Sequence, residues 1–256
     1  MPEEFSIGSL KAEARLLLRE ARVPPLRFTL VFLAVDLALT EISTAMGYLL
    51  GDRIGVAALP FIFAGVFFSL LSTVLLAGYA CYCLGVARGE AMPYESLFDA
   101  FPYAGKVILL TLAQGLLIGA GLMLFVVPGV VLSFSYAFAL YFVCEDPGTG
   151  VTDALRRSRL ALQGFKWRLF LLLLSFLPLA LLFALPLSVC EHLLRGAFPA
   201  TLAGALLKTF VSGVLAAGAS VYLTPYMALA QVVFFRRVTA QTELPFGEAP
   251  PDGPGL

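Results

Sequence analysis

Two long stretches of this chain contain no charged residue, and they constrain its fold more than any other feature. They span 54–87 and 107–144, in a chain of 256 residues with only 13% charged residues. In soluble domains roughly a quarter of all residues are charged. Each stretch exceeds the roughly 20 apolar residues that cross a bilayer as one helix. The sequence therefore predicts an all-α, polytopic membrane helix bundle.

A length of roughly 20 residues per crossing divides the apolar runs into six predicted transmembrane helices. They are Phe28 to Leu50, the part of 54–87 after a turn before Pro60, the two halves of 107–144, Leu169 to Val189 and Leu206 to Phe235. Val127-Pro128-Gly129 is the expected break within 107–144, because proline cannot continue a helix. A re-entrant hairpin is the alternative for 107–144, because its second half is short.

The basic residues predict the orientation of these spans. Of the seventeen Lys and Arg residues, fourteen fall on one side of the predicted bundle and three, Arg53, Arg195 and Lys208, on the other. Because basic loops are retained in the cytoplasm, this split favours six spans with both termini cytoplasmic. The predicted parts are a cytoplasmic amphipathic helix at 1–25, a six-span membrane domain at 26–237 and a disordered cytoplasmic tail at 238–256, which is rich in proline.

Three segments on the predicted cytoplasmic side carry apolar residues at helical spacing, which predicts three interfacial helices. The stripes are Ile7, Leu10, Ala14, Leu17, Leu18 and Ala21; then Tyr94, Leu97, Phe98 and Phe101; then Val151, Ala154, Leu155, Ser158, Ala161, Leu162 and Phe165. In the third, Thr149 is the expected N-cap and Gly164 the expected end.

Two carboxylic acids occur near the middle of the first predicted span. A charged group there costs roughly 3 kcal/mol or more unless it is paired or hydrated, so Asp36 and Glu41 are candidate intramembrane polar residues of a proton, cation or solute path. Gln114 is a candidate polar partner, and Lys208 could reach toward Glu41. The alternative is structural, with each carboxyl bonded inside the bundle. Five residues place Asp36 and Glu41 about 140° apart on a helix, so different partners are expected.

Five basic residues lie between the fourth and fifth predicted spans: Arg156, Arg157, Arg159, Lys166 and Arg168. They are a candidate surface for an anionic phospholipid or a membrane protein partner, because each juxtamembrane cation near an anionic surface contributes about 1 kcal/mol. The alternative is that they only hold the loop in the cytoplasm. Gly115 and Gly119 are spaced for close helix approach.

No arrangement of residues typical of an enzyme occurs in the sequence. There is no Ser-His-Asp set, phosphate loop or nucleophile elbow, so a non-enzymatic protein without a cofactor is expected. The cysteines have neither zinc spacing nor the pattern of a disulfide framework. No nucleic-acid partner is expected, since no basic patch is interleaved with aromatic residues on a soluble face.

A set of short segments in the second half resembles a known bacterial family of integral membrane proteins, called domain of unknown function 975. The segments are Gly85–Glu90, Leu97–Phe101, Val127–Gly129, Ser135-Tyr136, Glu145–Pro147, Ala154–Ser158, Gly164–Trp167 and Leu223–Tyr226. The resemblance covers about 78–237 and implies a six-span bacterial membrane protein with no established activity. Leu177-Pro178 departs from the pattern, which has a glycine and a tryptophan there.

A more distant likeness is to the membrane domain of some glycerophosphodiester phosphodiesterases, and it implies no catalytic residue in this chain. With the family resemblance, the expected location is the bacterial plasma (inner) membrane, where the lipid bilayer itself is a partner. The leading functional hypothesis is handling or transport of a lipid or small solute through Asp36 and Glu41. The rivals are an accessory or scaffold protein that docks a partner through its amphipathic helices and, third, an intramembrane hydrolase.

Overall fold

The computed structural model describes residues 6–21, 23–50, 59–194 and 201–243, and within these ranges the chain forms ten α-helices and no strand. The helices are α1 (Ile7–Glu20), α2 (Pro25–Leu50), α3 (Leu59–Ala87), α4 (Ala104–Leu124), α5 (Val126–Ser135), α6 (Ala139–Glu145), α7 (Val151–Ala161), α8 (Lys166–Leu174), α9 (Leu177–Leu194) and α10 (Leu202–Glu243). Two short 3-10 helices, Tyr94–Phe98 and Phe101–Tyr103, lie between α3 and α4.

Between four and six helical segments of the described residues are long and apolar enough to cross a membrane. Four qualify alone: Pro25–Leu49, Ile62–Ala87, Tyr94–Leu124 and Val126–Glu145. Two more are bent pairs: Lys166–Leu174 with Leu177–Cys190, bent by 43°, and Leu202–Gly218 with Ser220–Gln241, bent by 53°. The fold is therefore an all-α bundle of the kind expected of a polytopic membrane protein.

Two helix breaks fall four residues before a proline rather than at the proline itself. The sequence predicts a break at Val127-Pro128-Gly129, but α4 already ends at Leu124 and Phe125 is extended. The predicted fifth span is likewise interrupted after Leu174, four residues before Pro178. A proline ring clashes with the carbonyl four residues earlier, so the break lies upstream while the proline lies in the first turn of the next helix.

The α4–α5 pair folds back on itself at Phe125, and glycines allow the close approach. A Cβ built on Gly121 would stand 3.0 Å from the Gly129 Cα atom. Nothing lies within 4 Å of a Cβ at Gly115 or Gly119, so the expected small-residue contact uses another glycine pair.

The helix α1 packs on the bundle with its apolar face buried. Leu10 and Ala14 are almost fully buried, and Lys11 Nζ donates to the Ser175 carbonyl oxygen at 2.8 Å. The Arg237 guanidinium forms an ion pair with Glu13. The predicted apolar stripe of this helix therefore contacts the chain's own core.

The third predicted interfacial helix, α7, is also part of the core. Its residues Ala154, Leu155, Ser158 and Ala161 are buried. Ser158 Oγ donates to the Ser135 carbonyl oxygen at 2.9 Å and accepts a hydrogen bond from the Phe138 N–H at 3.1 Å. These two bonds give partners to the backbone groups at the break between α5 and α6. The helix is N-capped by Gly150, whereas the hydroxyl of Thr149, the predicted cap, donates to Asp146.

The second predicted interfacial helix does not form as one helix. The segment is split into the two 3-10 helices, and the first ends at Phe98, four residues before Pro102. Leu97 and Ala100 are buried, while Phe98 and Phe101 are exposed. At the C-terminus, the sequence predicts a disordered tail from Val238, but α10 continues to Glu243 and buries Val238; the rest of the predicted tail lies outside the described residues.

A disulfide joins α3 to α6, although the cysteines do not have the sequence pattern of a disulfide framework. Cys81 and Cys144 are bonded with their Cα atoms 5.4 Å apart, inside the range that a disulfide requires. They are 63 positions apart in the sequence, and the spacing of cysteines alone does not reveal such a pair. Cys83 and Cys190 are free, the first buried and the second exposed.

Candidate functional site

Asp36 lies near the middle of α2, and its carboxyl group is held by a hydroxyl of the neighbouring α3. Ser72 Oγ donates to Asp36 Oδ1 at 2.5 Å. Both side chains are half-buried. A carboxyl group among apolar helices requires such a partner, because hydrocarbon offers none.

A cavity of about 230 Å³ separates α2 from α10 next to this carboxyl group. Its polar lining consists of Asp36, Thr40, Thr209, Ser212 and Ser220. Leucine, glycine and alanine residues form the rest of the wall. The cavity thus places one carboxyl group among hydroxyls inside a predominantly apolar bundle.

A second cavity of about 320 Å³ lies on the other side of α2, against α3. Thr40, Ser43, Thr44, Ser69 and Ser72 provide its polar lining. Thr40 lines both cavities, and the Asp36–Ser72 hydrogen bond joins a group of the first to a group of the second. We call the two cavities with this hydrogen bond the Asp36 site.

The sequence pointed to Asp36 but not to its hydroxyl neighbours. A signal for them exists in the spacing: Thr40 and Thr44 on α2, Ser69 and Ser72 on α3, and Thr209 and Ser212 on α10 recur at three or four residues. Such pairs share one face of a helix. Which faces meet depends on packing between helices that are distant in sequence.

The other candidate intramembrane residues are not part of this site. Glu41 lines neither cavity, and its Oε1 atom is buried with no hydrogen-bond partner in the described part of the chain. Gln114 Nε2 donates to the Tyr136 carbonyl oxygen at 2.8 Å and so gives a hydrogen bond to the backbone at the α5–α6 break. Lys208 is exposed and forms no ion pair with Glu41.

The five basic residues of the predicted lipid or partner surface divide into two groups. Arg156, Arg157 and Arg159 are exposed on α7. Lys166 and Arg168 are half-buried on α8, where the Arg168 guanidinium lies 5.5 Å from the Phe165 ring centroid. The three arginines of α7 therefore form the accessible part, opposite the buried apolar face of the same helix.

Acidic groups lie beside this basic surface. Glu145 forms an ion pair with Arg88 at 3.0 Å, and Lys106 donates to the Pro147 carbonyl oxygen. The Thr149 hydroxyl and the Gly148 N–H donate to Asp146, and with the nearby cationic side chains they hold the pKa of that exposed carboxyl below its usual range. The surface is thus mixed in charge at its α6 edge.

A comparison with protein families matches residues 110–242, just over half of the chain, to a family described as protein of unknown function (DUF975). The matched range contains α5 to α9, most of α4 and nearly all of α10, while Asp36 and Ser72 lie before it. No curated protein matches the chain, and neither does any solved structure. The likeness to the membrane domain of glycerophosphodiester phosphodiesterases therefore gains no support. The chain belongs to the DUF975 family of proteins of unknown function.

Proposed function

We propose that this protein binds a small polar solute or a lipid headgroup at the Asp36 site, without catalysing a reaction, and passes it between the bilayer or solvent and the bundle. One observation carries the proposal: a carboxyl group, bonded to Ser72, lines a cavity of about 230 Å³ between apolar helices. Buried polar groups are normally hydrogen-bonded, as Asp36 is to Ser72. A carboxyl beside open space is also available to a ligand.

The proposed setting is the bacterial plasma membrane, with six spans and both termini in the cytoplasm. The uneven distribution of basic residues supports this orientation. The two bent helix pairs supply the fifth and sixth crossings when each pair is one broken span. Broken helices next to a polar cavity are a frequent arrangement in transporters.

The experiment purifies the full chain in its native lipid and measures bound molecules by native mass spectrometry. The wild type is expected to retain a stoichiometric small molecule or lipid that Asp36→Asn loses. Glu20→Gln, which alters an exposed carboxylate of α1, is the control and is expected to retain it. The proposal fails if the wild type carries no such molecule, or if Asp36→Asn carries the same amount.

A second candidate function is docking of an anionic phospholipid or a membrane protein partner on the basic face of α7. The observation that favours it is the exposure of Arg156, Arg157 and Arg159 on a helix whose apolar face is already buried. The docking surface is then the charged face. Replacing the three arginines by glutamine is expected to abolish binding to vesicles that contain phosphatidylglycerol, or recovery of the partner, while Leu155→Asp would disrupt the core.

A further inference from the structure

Three of the four hydroxyl groups that line the first cavity have already used their protons. Thr40 Oγ1 donates to the Asp36 carbonyl oxygen at 2.9 Å, Thr209 Oγ1 to that of Ala205 at 3.0 Å, and Ser212 Oγ to that of Thr209 at 3.1 Å. A hydroxyl has one proton and two lone pairs. These three groups therefore present acceptors to the cavity.

Ser72 and Thr44, which line the second cavity, behave in the same way. Ser72 uses its proton on Asp36 Oδ1, and Thr44 Oγ1 donates to the Thr40 carbonyl oxygen at 2.9 Å. An ionised carboxylate is only an acceptor. No lysine, arginine or histidine is among the described residues that line either cavity. The Asp36 site thus combines one potential negative charge with hydroxyl oxygens that accept.

We infer that the ligand of the Asp36 site carries a primary ammonium group, and this inference rests on the proposed function. An ammonium offers three donors and a positive charge, which match the carboxylate and the hydroxyl oxygens. An anionic ligand would meet a like charge and few donors, and would leave the acceptors unpaired. The complementary group is therefore a cationic donor.

The first cavity has room for a small headgroup around the ammonium. At about 230 Å³ it is smaller than a typical drug-sized pocket of roughly 300–1,000 Å³. It accommodates a group of the size of ethanolamine. A trimethylammonium group has no N–H, so it would donate no hydrogen bond to Asp36 or Thr40. The site therefore distinguishes an amine headgroup from a choline headgroup.

The same ammonium chemistry occurs in an amine-headed phospholipid and in a free amine, and the experiment separates the two. The full chain, purified with phosphatidylglycerol as the background lipid, is titrated with short-chain phosphatidylethanolamine, with short-chain phosphatidylcholine and with free ethanolamine. Native mass spectrometry measures the fraction of 1:1 adduct. Binding of the ethanolamine lipid at least about tenfold tighter than that of the choline lipid is expected.

The outcomes assign the source of the ammonium. Binding of the phosphatidylethanolamine without binding of free ethanolamine identifies a lipid headgroup, and binding of both identifies a site open to soluble amines. Asp36→Asn is expected to lose the preference, while Ser133→Ala, whose hydroxyl donates only to Val130 on its own helix, keeps it. Because the comparison of headgroups uses the wild type, it stands even where the Asp36 variant fails to fold.

The inference is overturned if the choline and ethanolamine lipids bind equally, or if neither lipid nor free ethanolamine binds. The proposed function survives that result when the wild type still carries another copurified molecule that Asp36→Asn loses. It falls with the inference when the wild type carries none.

Discussion

Gly78 lies where α3 meets the first 3-10 helix, and its missing side chain permits that contact. A Cβ built there would stand 1.9 Å from the Leu97 carbonyl oxygen, far inside any normal separation. Backbone atoms cannot move aside as the end of a flexible side chain can. The segment between α3 and α4 therefore depends on glycine at this position.

Gly78→Ala is expected to destabilise the protein by about 2 kcal/mol, because overpacking in a filled site costs about 1–3 kcal/mol. Gly115→Ala is the matched control, since nothing lies within 4 Å of its Cβ position in α4. It is expected to be neutral or stabilising by about 0.5 kcal/mol. Thermal unfolding in detergent measures both, and equal midpoints would contradict the contact.

The prolines show why the presence of a helix break is easier to predict from the sequence than the residue at which it falls. Pro102, Pro128 and Pro178 each follow the end of a helix by four residues. Pro186 and Pro225 instead lie inside helices: α9 continues past the first, and α10 bends near Ser220 without ending. Each proline removes a donor and crowds the carbonyl four residues earlier. Neighbouring helices decide whether the result is an end or a bend.

Among the elements, α7 shows how an amphipathic pattern can be interpreted in two ways. Its apolar stripe predicts an interfacial helix, but the stripe packs in the core and Ser158 satisfies the backbone at the α5–α6 break. A buried backbone group without a partner costs about 1–3 kcal/mol. The helix α7 therefore supplies hydrogen-bond partners to the backbone at the break in the fourth candidate span.

Ser158→Ala is expected to lower the free energy of unfolding by about 2 kcal/mol, because both Ser135 O and Phe138 N–H lose their partner. Thr152→Ala, at an exposed position of the same helix, controls for helix propensity and is expected to change little. Chemical unfolding in detergent measures the difference. A Ser158→Ala variant as stable as the control would mean that water or another group replaces the hydroxyl.

The helix α1 contacts the break between α8 and α9 through the side chain of Lys11. Its ammonium donates to the Ser175 carbonyl oxygen and lies 4.4 Å from the Phe176 ring centroid. Partial burial and the nearby Arg15 lower the pKa of Lys11 from its ordinary value. The charged form is thus less favoured in the folded protein than in the unfolded chain.

This shift predicts the pH dependence of stability. The unfolded chain binds more protons than the folded protein between the lowered pKa of Lys11 and its ordinary value near 10.5, so this residue's contribution to stability rises with pH in that window. Unfolding of the wild type and of Lys11→Met is compared at about pH 8 and about pH 10. The wild type is expected to gain stability relative to the variant. A parallel response of the two proteins would exclude Lys11 as the cause.

Across the residues that the structure describes, burial is concentrated at the end of the bundle that carries α1 and α7. Phe28, Tyr82, Phe138 and Phe235 are almost fully buried there. Apolar side chains such as Phe63, Met123 and Leu193 are exposed by 70% or more along the spans and at the far end. That distribution suits a lipid solvent, since hydrocarbon imposes no cost on exposed apolar groups.

The Cys81–Cys144 bond is expected to stabilise the bundle by about 4 kcal/mol in the chain-entropy model, because it closes a loop of 63 positions. Protein purified without reductant and denatured should expose two alkylatable thiols, Cys83 and Cys190, and four after reduction. Mass spectrometry after alkylation counts them. Cys81→Ser should lower the unfolding midpoint under oxidising conditions, while Cys190→Ser should not.

The same bond tests the orientation of the protein. The bonded cysteines lie near Arg88 and Glu145, at the end expected to face the cytoplasm, where thiols are kept reduced. The pair is therefore expected to be reduced in intact cells and oxidised after purification. A bond that persists in intact cells would place this end in an oxidising compartment and contradict the predicted orientation.

The sequence alone determined the helical membrane class, the approximate spans, the position of Asp36 and the family resemblance. These follow from apolar run length, charge distribution and short segments, which are local along the chain. The exact helix ends were harder to predict from the sequence, because a proline acts on a carbonyl four residues away.

Only the tertiary structure decided which polar groups meet. It placed Ser72, Thr209 and Ser212 beside Asp36, left Glu41 and Gln114 outside the cavities, buried the stripes of α1 and α7, and joined Cys81 to Cys144. The physical reason is that these contacts join helices far apart in sequence. Helical periodicity fixes the face on which a residue lies, but the packing of whole helices selects the face that it meets.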